Sequence, residues 1–222
     1  MTTFALDGMD LAALLCSRVC HDVISPVGAI INGLEVLEDE KEAEMREIAL
    51  DLIKKSAAAA SARLQFCRLA YGAAGSVGAS IDTGDAENVT RGLINNDRTK
   101  LVWNATRRYA PKNKVKLVLN LCLIAISVIP RGGVVTVALS GEGEALEALV
   151  EAKGPNARLA HGVAALIAGT VEGGSVDAHS IQAYYTGLVA RSCGLQVTIE
   201  TAADSIALRA SLAVETALAA PG

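Results

Sequence analysis

The chain has 222 residues, 51% hydrophobic but only 3% aromatic, so its core must be aliphatic and rich in small side chains. That length supports one or two domains with cores of their own, and an Ala-rich aliphatic composition favours helices. Lys and Arg number 20 against 24 Asp and Glu, a net charge of −4 with no basic run, which argues against nucleic acid as a partner.

The opening stretch MTTFALDGMDL has neither a positive start nor a long apolar run, so it does not read as a signal peptide. Residues 117–130 form an apolar run, but Asn120 and Ser127 interrupt it and it is too short to span a bilayer. A cytoplasmic protein without a membrane partner is expected. The five cysteines contain no CxxC pair. Cys16 and Cys20 would share a helix face, but no His or Cys elsewhere completes a metal set. The cysteines read as reduced, small hydrophobes. His161 and His179 are isolated and read as ordinary loop or surface residues.

Residues 11–37 come first, with Leu11, Leu15, Val19, Val23, Pro26, Ile30, Leu34 and Leu37 in one continuous helical stripe. Asp10 is the expected N-cap. The acidic residues 38–42 read as a turn. A second helix is expected over residues 43–71, with Ile48, Leu52, Ala59, Ala62, Phe66 and Leu69 on one face. Helices of about 27 residues are about 40 Å long. A lone hairpin of that length cannot bury both stripes, whereas two hairpins paired as a four-helix bundle can. The pattern therefore predicts a homodimer. Residues 72–84 (GAAGSVGASIDTG) are a small-residue linker and the best domain boundary.

Beyond the linker both periodicities occur. Helices are predicted over residues 85–94, 115–129 and 181–193, the second stopping at Pro130 and Gly132-Gly133 and the third at Gly194. Strands are predicted over residues 101–103, 134–139, 146–152, 195–200 and 205–212, with a hairpin turn at residues 141–144. The fold class is α+β: a helical hairpin over residues 1–75, then an α/β sandwich with one mixed sheet over residues 76–214. Residues 215–222 have no pattern and are expected to be a mobile tail.

His21 carries the chemistry. At about 100° per residue it points away from the apolar stripe, towards water or a partner. Its face-mates are Ser17, Arg18, Ser25, Gly28 and Asn32. A neutral imidazole is a good nucleophile towards phosphorus, and the Arg18 fork suits phosphoryl oxygens. Asp22 could hydrogen-bond one ring nitrogen and make the other more basic. Pro26, inside the helix, frees the Asp22 carbonyl and bends the chain beside His21.

The run His21-Asp22-Val23-Ile24-Ser25-Pro26-Val27-Gly28-Ala29-Ile30 resembles the phosphoacceptor box of histidine kinases. The resemblance implies that His21 is phosphorylated and that the hairpin dimerises. The second domain resembles the kinase ATP-binding domain in degraded form. Asn120-Leu121-Cys122-Leu123-Ile124-Ala125, followed by Pro130-Arg131-Gly132-Gly133, resembles the asparagine box. Ile124 stands where those kinases hold Mg²⁺ with a second Asn. Ala152-Lys153-Gly154-Pro155-Asn156 resembles the adenine box, with Ala152 in place of its Asp. Residues 177–180 carry no phosphate-cradling glycine repeat.

Nearly the whole chain is similar to the histidine phosphotransferases of alphaproteobacterial cell-cycle relays. That likeness implies a CckA-like hybrid kinase as phosphoryl donor and two response regulators, CtrA-like and CpdR-like, as acceptors. It implies no ATP and no resident metal, the receiver domain bringing its own Mg²⁺. Receivers are expected to dock below His21 around Ile24, Val27, Gly28, Ile31 and Asn32, with help from the second helix. For Ile24, Val27 and Ile31 the other reading is additional bundle core. Two rival functions stay open: an ATP-dependent kinase and a non-catalytic scaffold that binds receivers.

Overall fold

The computed structural model describes residues 4–72, 79–170 and 176–212. The first two helices are α1 (Gly8–Asp39) and α2 (Ala43–Ala70). α1 starts earlier than the sequence suggests. Asp7, not Asp10, is its N-cap: the Asp7 side chain accepts from the backbone N–H groups of Met9 and Asp10. Asp10 sits in the first turn, where its charge complements the helix dipole. The hairpin turn is closed by side chains. Glu40 Oε1 accepts from the N–H groups of Lys41 and Glu42, and Arg46 donates to the carbonyls of Leu37 and Glu40. These bonds satisfy groups that two helix ends leave orphaned in a short connection.

The two helices approach closely at Gly33, one of two fully buried positions on α1, the other being Pro26. A Cβ on Gly33 would lie 2.6 Å from Ile53 Cγ1 and 3.3 Å from the Ala49 carbonyl oxygen. The partner face on α2 is correspondingly small: Ala49, Ser56 and Ala60 are buried. Ile48 and Leu52, assigned to that face from the sequence, are instead exposed. Gly33→Leu should therefore force the hairpin apart. We expect a loss of about 1–3 kcal/mol, read as a lowered midpoint in thermal unfolding followed by circular dichroism.

α1 is the one described helix long and apolar enough to cross a membrane by length and composition. It carries the Arg18–Asp22 ion pair along its length and lays Pro26 and Gly33 against α2. Charged side chains are costly in hydrocarbon.

The second unit begins inside what reads as linker. β1 (Ser80–Asp82) and α3 (Thr83–Ile94) come first, the helix starting earlier than expected because the Asp82 side chain caps Gly84 N–H. β2 (Thr99–Asn104), β3 (Tyr109–Pro111) and α4 (Lys112–Ser127) follow. Next are β4 (Gly133–Ser140), a 3₁₀ turn (Gly143–Ala145), β5 (Glu147–Lys153) and α5 (Val163–Ala168). α6 (Ile181–Ser192), β6 (Leu195–Thr201) and β7 (Ser205–Leu212) follow in turn. The β1–β3 pair and α5 are too short for periodicity to reveal, and α4 begins at Lys112 rather than Val115. The tail expected over residues 215–222 lies outside the described residues.

The main sheet has the order β2-β4-β5-β7-β6, with β2 parallel to β4 and every other pair antiparallel. The mixed sheet is the one the alternation predicts. Val135, Val137, Val150, Ala152, Ile206 and Leu208 point inward and share a core with Leu117, Leu121 and Ile124 of α4 and Tyr184 of α6. Gly141, at φ 70°, makes the β4–β5 turn, where a Cβ would strike the Ala145 carbonyl oxygen.

Two polar seams join the hairpin to this sandwich. Buried Asn120 donates to the Ala70 carbonyl at the end of α2 (3.2 Å) and accepts from Gln182 of α6 (2.7 Å). Near the start of α1, Leu6 N–H donates to the Tyr184 hydroxyl (3.0 Å) and Phe4 N–H to the Gly169 carbonyl (3.1 Å). With Phe4 set edge-to-face on Tyr184, the N-terminal end of α1 is pinned against α5 and α6.

Candidate functional site

His21 lies on the open side of α1, with its side chain 63% exposed. The helix runs without a break through this stretch, with Pro26 inside it, so the ring's neighbours are set by helical spacing.

Asp22 bridges the two side chains beside it. Its Oδ2 accepts from Arg18 Nε at 3.0 Å, and its Oδ1 lies 3.5 Å from His21 Nδ1. The next-door carboxylate therefore faces Nδ1 and leaves Nε2 as the free end of the ring. A proton held on Nδ1 by Asp22 leaves the Nε2 lone pair available to an electrophile. Arg18 and Asp22 are both largely covered, so the pair is a fixed feature of the helix surface. Ser25, one turn on, is exposed and makes no contact with the ring among the described interactions.

Cys67 of α2 lies near the same charges. Burial pushes its thiol up to about 11, so it stays protonated at neutral pH and is no rival nucleophile. Cys16 and Cys20 are exposed free thiols, and no cluster of metal-ligating side chains occurs among the described residues.

His179 is the site residue that sequence reasoning misses, since it reads as an isolated loop histidine. Its ring stands edge-to-face on His21, with centroids 5.2 Å apart and planes at 79°. Arg18 Nη1 also donates to the His179 carbonyl at 3.4 Å. The loop presenting it is held by Asp177, whose Oδ1 accepts from His179 N–H (3.0 Å), Ser180 N–H (2.7 Å) and Ser180 Oγ (2.7 Å). The Asp177/Ser180 spacing suits a turn before a helix, but nothing local announces a partner on α1, with Arg18 lying 161 positions away.

The Ser180 bonds, with that from His179 N–H, hold the Asp177 carboxyl below its ordinary 3.8. A depressed carboxyl favours the folded loop at neutral pH, and that contribution is lost as pH falls through the lowered value. The Ser180 amide resonance should therefore keep its hydrogen-bonded shift as pH falls to 3.8 and lose it only below, as followed by two-dimensional NMR.

Beside His179 lies a cavity of about 270 Å³ between α1, α4 and α6, lined by Arg18, Ile124, Ser127, His161, Asp177 and Gln182 among others. Ile124 is buried there. Ala152 is elsewhere: it is fully buried in β5, paired with Val135 and Ile206.

The expected docking residues divide by direction. In an antiparallel helix pair, equal rotation from the contact line leads to the same side of the pair, because both helices are right-handed. Measured from Gly33 at about 100° per residue, Gly28, Asn32 and Ser25 lie on His21's side of α1. Ile48 and Leu52 lie on that side of α2. Val27 and Leu34 lie on the opposite side, together with Leu50 and Leu64 of α2. Ile24 and Ile31 point away from α2, and Ile24 is 70% exposed. A Cβ on Gly28 would meet nothing within 4 Å, so the surface below His21 is open.

Residues 83–205 match the family described as the histidine phosphotransferase C-terminal domain. The chain is 48% identical over 205 residues to the protein phosphotransferase ChpT of Brucella abortus, covering 92% of this chain and 97% of that one. A bacterial phosphotransferase of known structure is 45% identical, covers 95% of this chain, is itself covered in full, and superposes with a TM-score of 0.87. The chain belongs to the histidine phosphotransferase family.

Proposed function

We propose that this phosphotransferase carries the phosphoryl group on His21 Nε2 and relays it between receiver domains. The observation that carries this reading is the Arg18–Asp22–His21 array on an open helix face. The Nε2 lone pair attacks the phosphorus of a receiver's aspartyl phosphate. The P–O bond to that aspartate breaks, and the carboxylate leaves with the electron pair. The Nδ1 proton stays beside Asp22, and Arg18 offsets phosphoryl charge. The reverse step delivers the group to an acceptor aspartate. Phosphoryl transfer needs mainly alignment and charge stabilisation, which the receiver completes with its own Mg²⁺.

The donor in this reading is a CckA-like hybrid kinase, and the acceptors are CtrA-like and CpdR-like regulators. Receivers dock on the side of the hairpin that bears His21, Ser25, Gly28, Asn32, Ile48 and Leu52. Ile24 and Ile31 border that surface, and Val27 belongs to the opposite one. That opposite side, with Val27, Leu34, Leu50 and Leu64, pairs with a second copy to form a four-helix bundle. Exposed apolar rows on a long hairpin support this, because they need a partner. The protein works in the cytoplasm, without nucleic acid or membrane as partner. ATP is not its phosphoryl source: apolar Ile124 and Ala152 stand where the kinase resemblance calls for an Asn and an Asp.

The test is a labelling experiment on the purified protein. Radiolabelled ATP alone is expected to leave it unlabelled, whereas a phosphorylated receiver domain labels it within minutes. Label from ATP alone would make it a kinase, and no label from either source would make it a scaffold.

A further inference from the structure

Resting on the reading that His21 accepts the phosphoryl group, we infer that His179 is a positioning residue for the transfer, its ring holding the His21 imidazole in the attacking orientation. His21 has no packed cage. Its ring is mostly exposed, and its contact with Asp22 is at the long limit of a hydrogen bond. The second ring therefore supplies a large share of what restrains it. His179 is itself fixed from behind by Asp177 and Ser180 at the start of α6, and by the bond from Arg18 to its carbonyl. Through it the sandwich domain reaches the phosphoacceptor. That gives the domain a part in the transfer that a remnant stabilising the hairpin would not have.

The geometry favours ring contact over charge. The two imidazoles meet edge-to-face, the arrangement aromatic pairs adopt for their quadrupoles. A restraint of that strength shifts the population of the productive rotamer by about three- to tenfold.

The experiment compares wild type with His179→Ala, His179→Gln and His179→Phe in transfer from a phosphorylated receiver, over a range of receiver concentrations. His179→Ala and His179→Gln should lower kcat about three- to tenfold with KM unchanged. His179→Phe, which keeps a ring and loses both nitrogens, should restore kcat to within about twofold. The ring-current shift on the His21 protons should vanish in the Ala and Gln variants and persist in the Phe variant. A Phe variant as slow as Ala would overturn the proposal in favour of a nitrogen or its charge. So would an Ala variant as fast as wild type, or one changed only in KM, which would make His179 a receiver contact. If wild type takes no label from any receiver, the acceptor reading fails instead, and the ring-current comparison alone decides whether His179 holds His21.

Discussion

His21→Gln is expected to take no label from a phosphorylated receiver, a loss of at least about a thousandfold. Glutamine is close to histidine in reach and polarity, but its amide nitrogen has no lone pair free to attack phosphorus. Neither the nearby thiol on α2 nor the nearest hydroxyl can substitute. Cys67 is held protonated by burial, and Ser25 has no base beside it among the described residues. The fold should not register the change, because exposed substitutions away from packed contacts usually stay within about 0.5 kcal/mol. The measurement is single-turnover transfer, with circular dichroism melting and receiver binding as controls. The variant should still bind receivers with little loss of affinity. Label on the glutamine variant would place the phosphoryl group on another residue.

The second large effect separates the two sides of the hairpin. For the proposed four-helix bundle, Leu34→Glu combined with Leu50→Glu is expected to convert dimer to monomer, while Ile48→Glu leaves the dimer intact and weakens receiver binding. Leu34 and Leu50 lie on the side opposite His21, whereas Ile48 shares the side of His21 and Asn32. An unpaired carboxylate at a bundle seam costs about 3–5 kcal/mol, enough to raise a dimer dissociation constant by more than about a hundredfold. The same charge within the receiver contact should cost about tenfold in affinity. Light scattering after size exclusion reads the first effect and titration with a receiver reads the second. Monomers from Ile48→Glu alone would exchange the assignments of the two sides.

The long helices are legible because their stripes repeat over many turns, and the mixed sheet because its strands alternate around Gly-rich turns. The start of α1 is misread from sequence because Asp10 has the chemistry of a cap, whereas in the structure Asp7 caps the helix and Asp10 falls in its first turn. The face of α2 is misleading because small side chains, not large ones, meet α1. Ala49, Ser56 and Ala60 pack at the close approach that Gly33 allows, and Ile48 and Leu52 are left outside. Hydrophobicity ranks Ile above Ala, but steric room decides which of them enters a tight helix pair.

For the site, the sequence by itself determined which side chains stand around His21, the proposed nucleophile. Arg18, Asp22 and His21 are brought together by helix geometry alone, since residues three and four apart share a face and Asp22, next to His21, reaches round to its ring. The apolar residues at Ile124 and Ala152 are equally visible. Only the tertiary structure decided that His179 joins the site. Its contact with His21 depends on Phe4 and Leu6 pinning α1 to α5 and α6, on Asn120 joining α2 to α6, and on Asp177 shaping the loop between. A local pattern records which side chains a helix presents. What meets them from 158 residues further along depends on how the hairpin packs on the sandwich, and no local spacing encodes that.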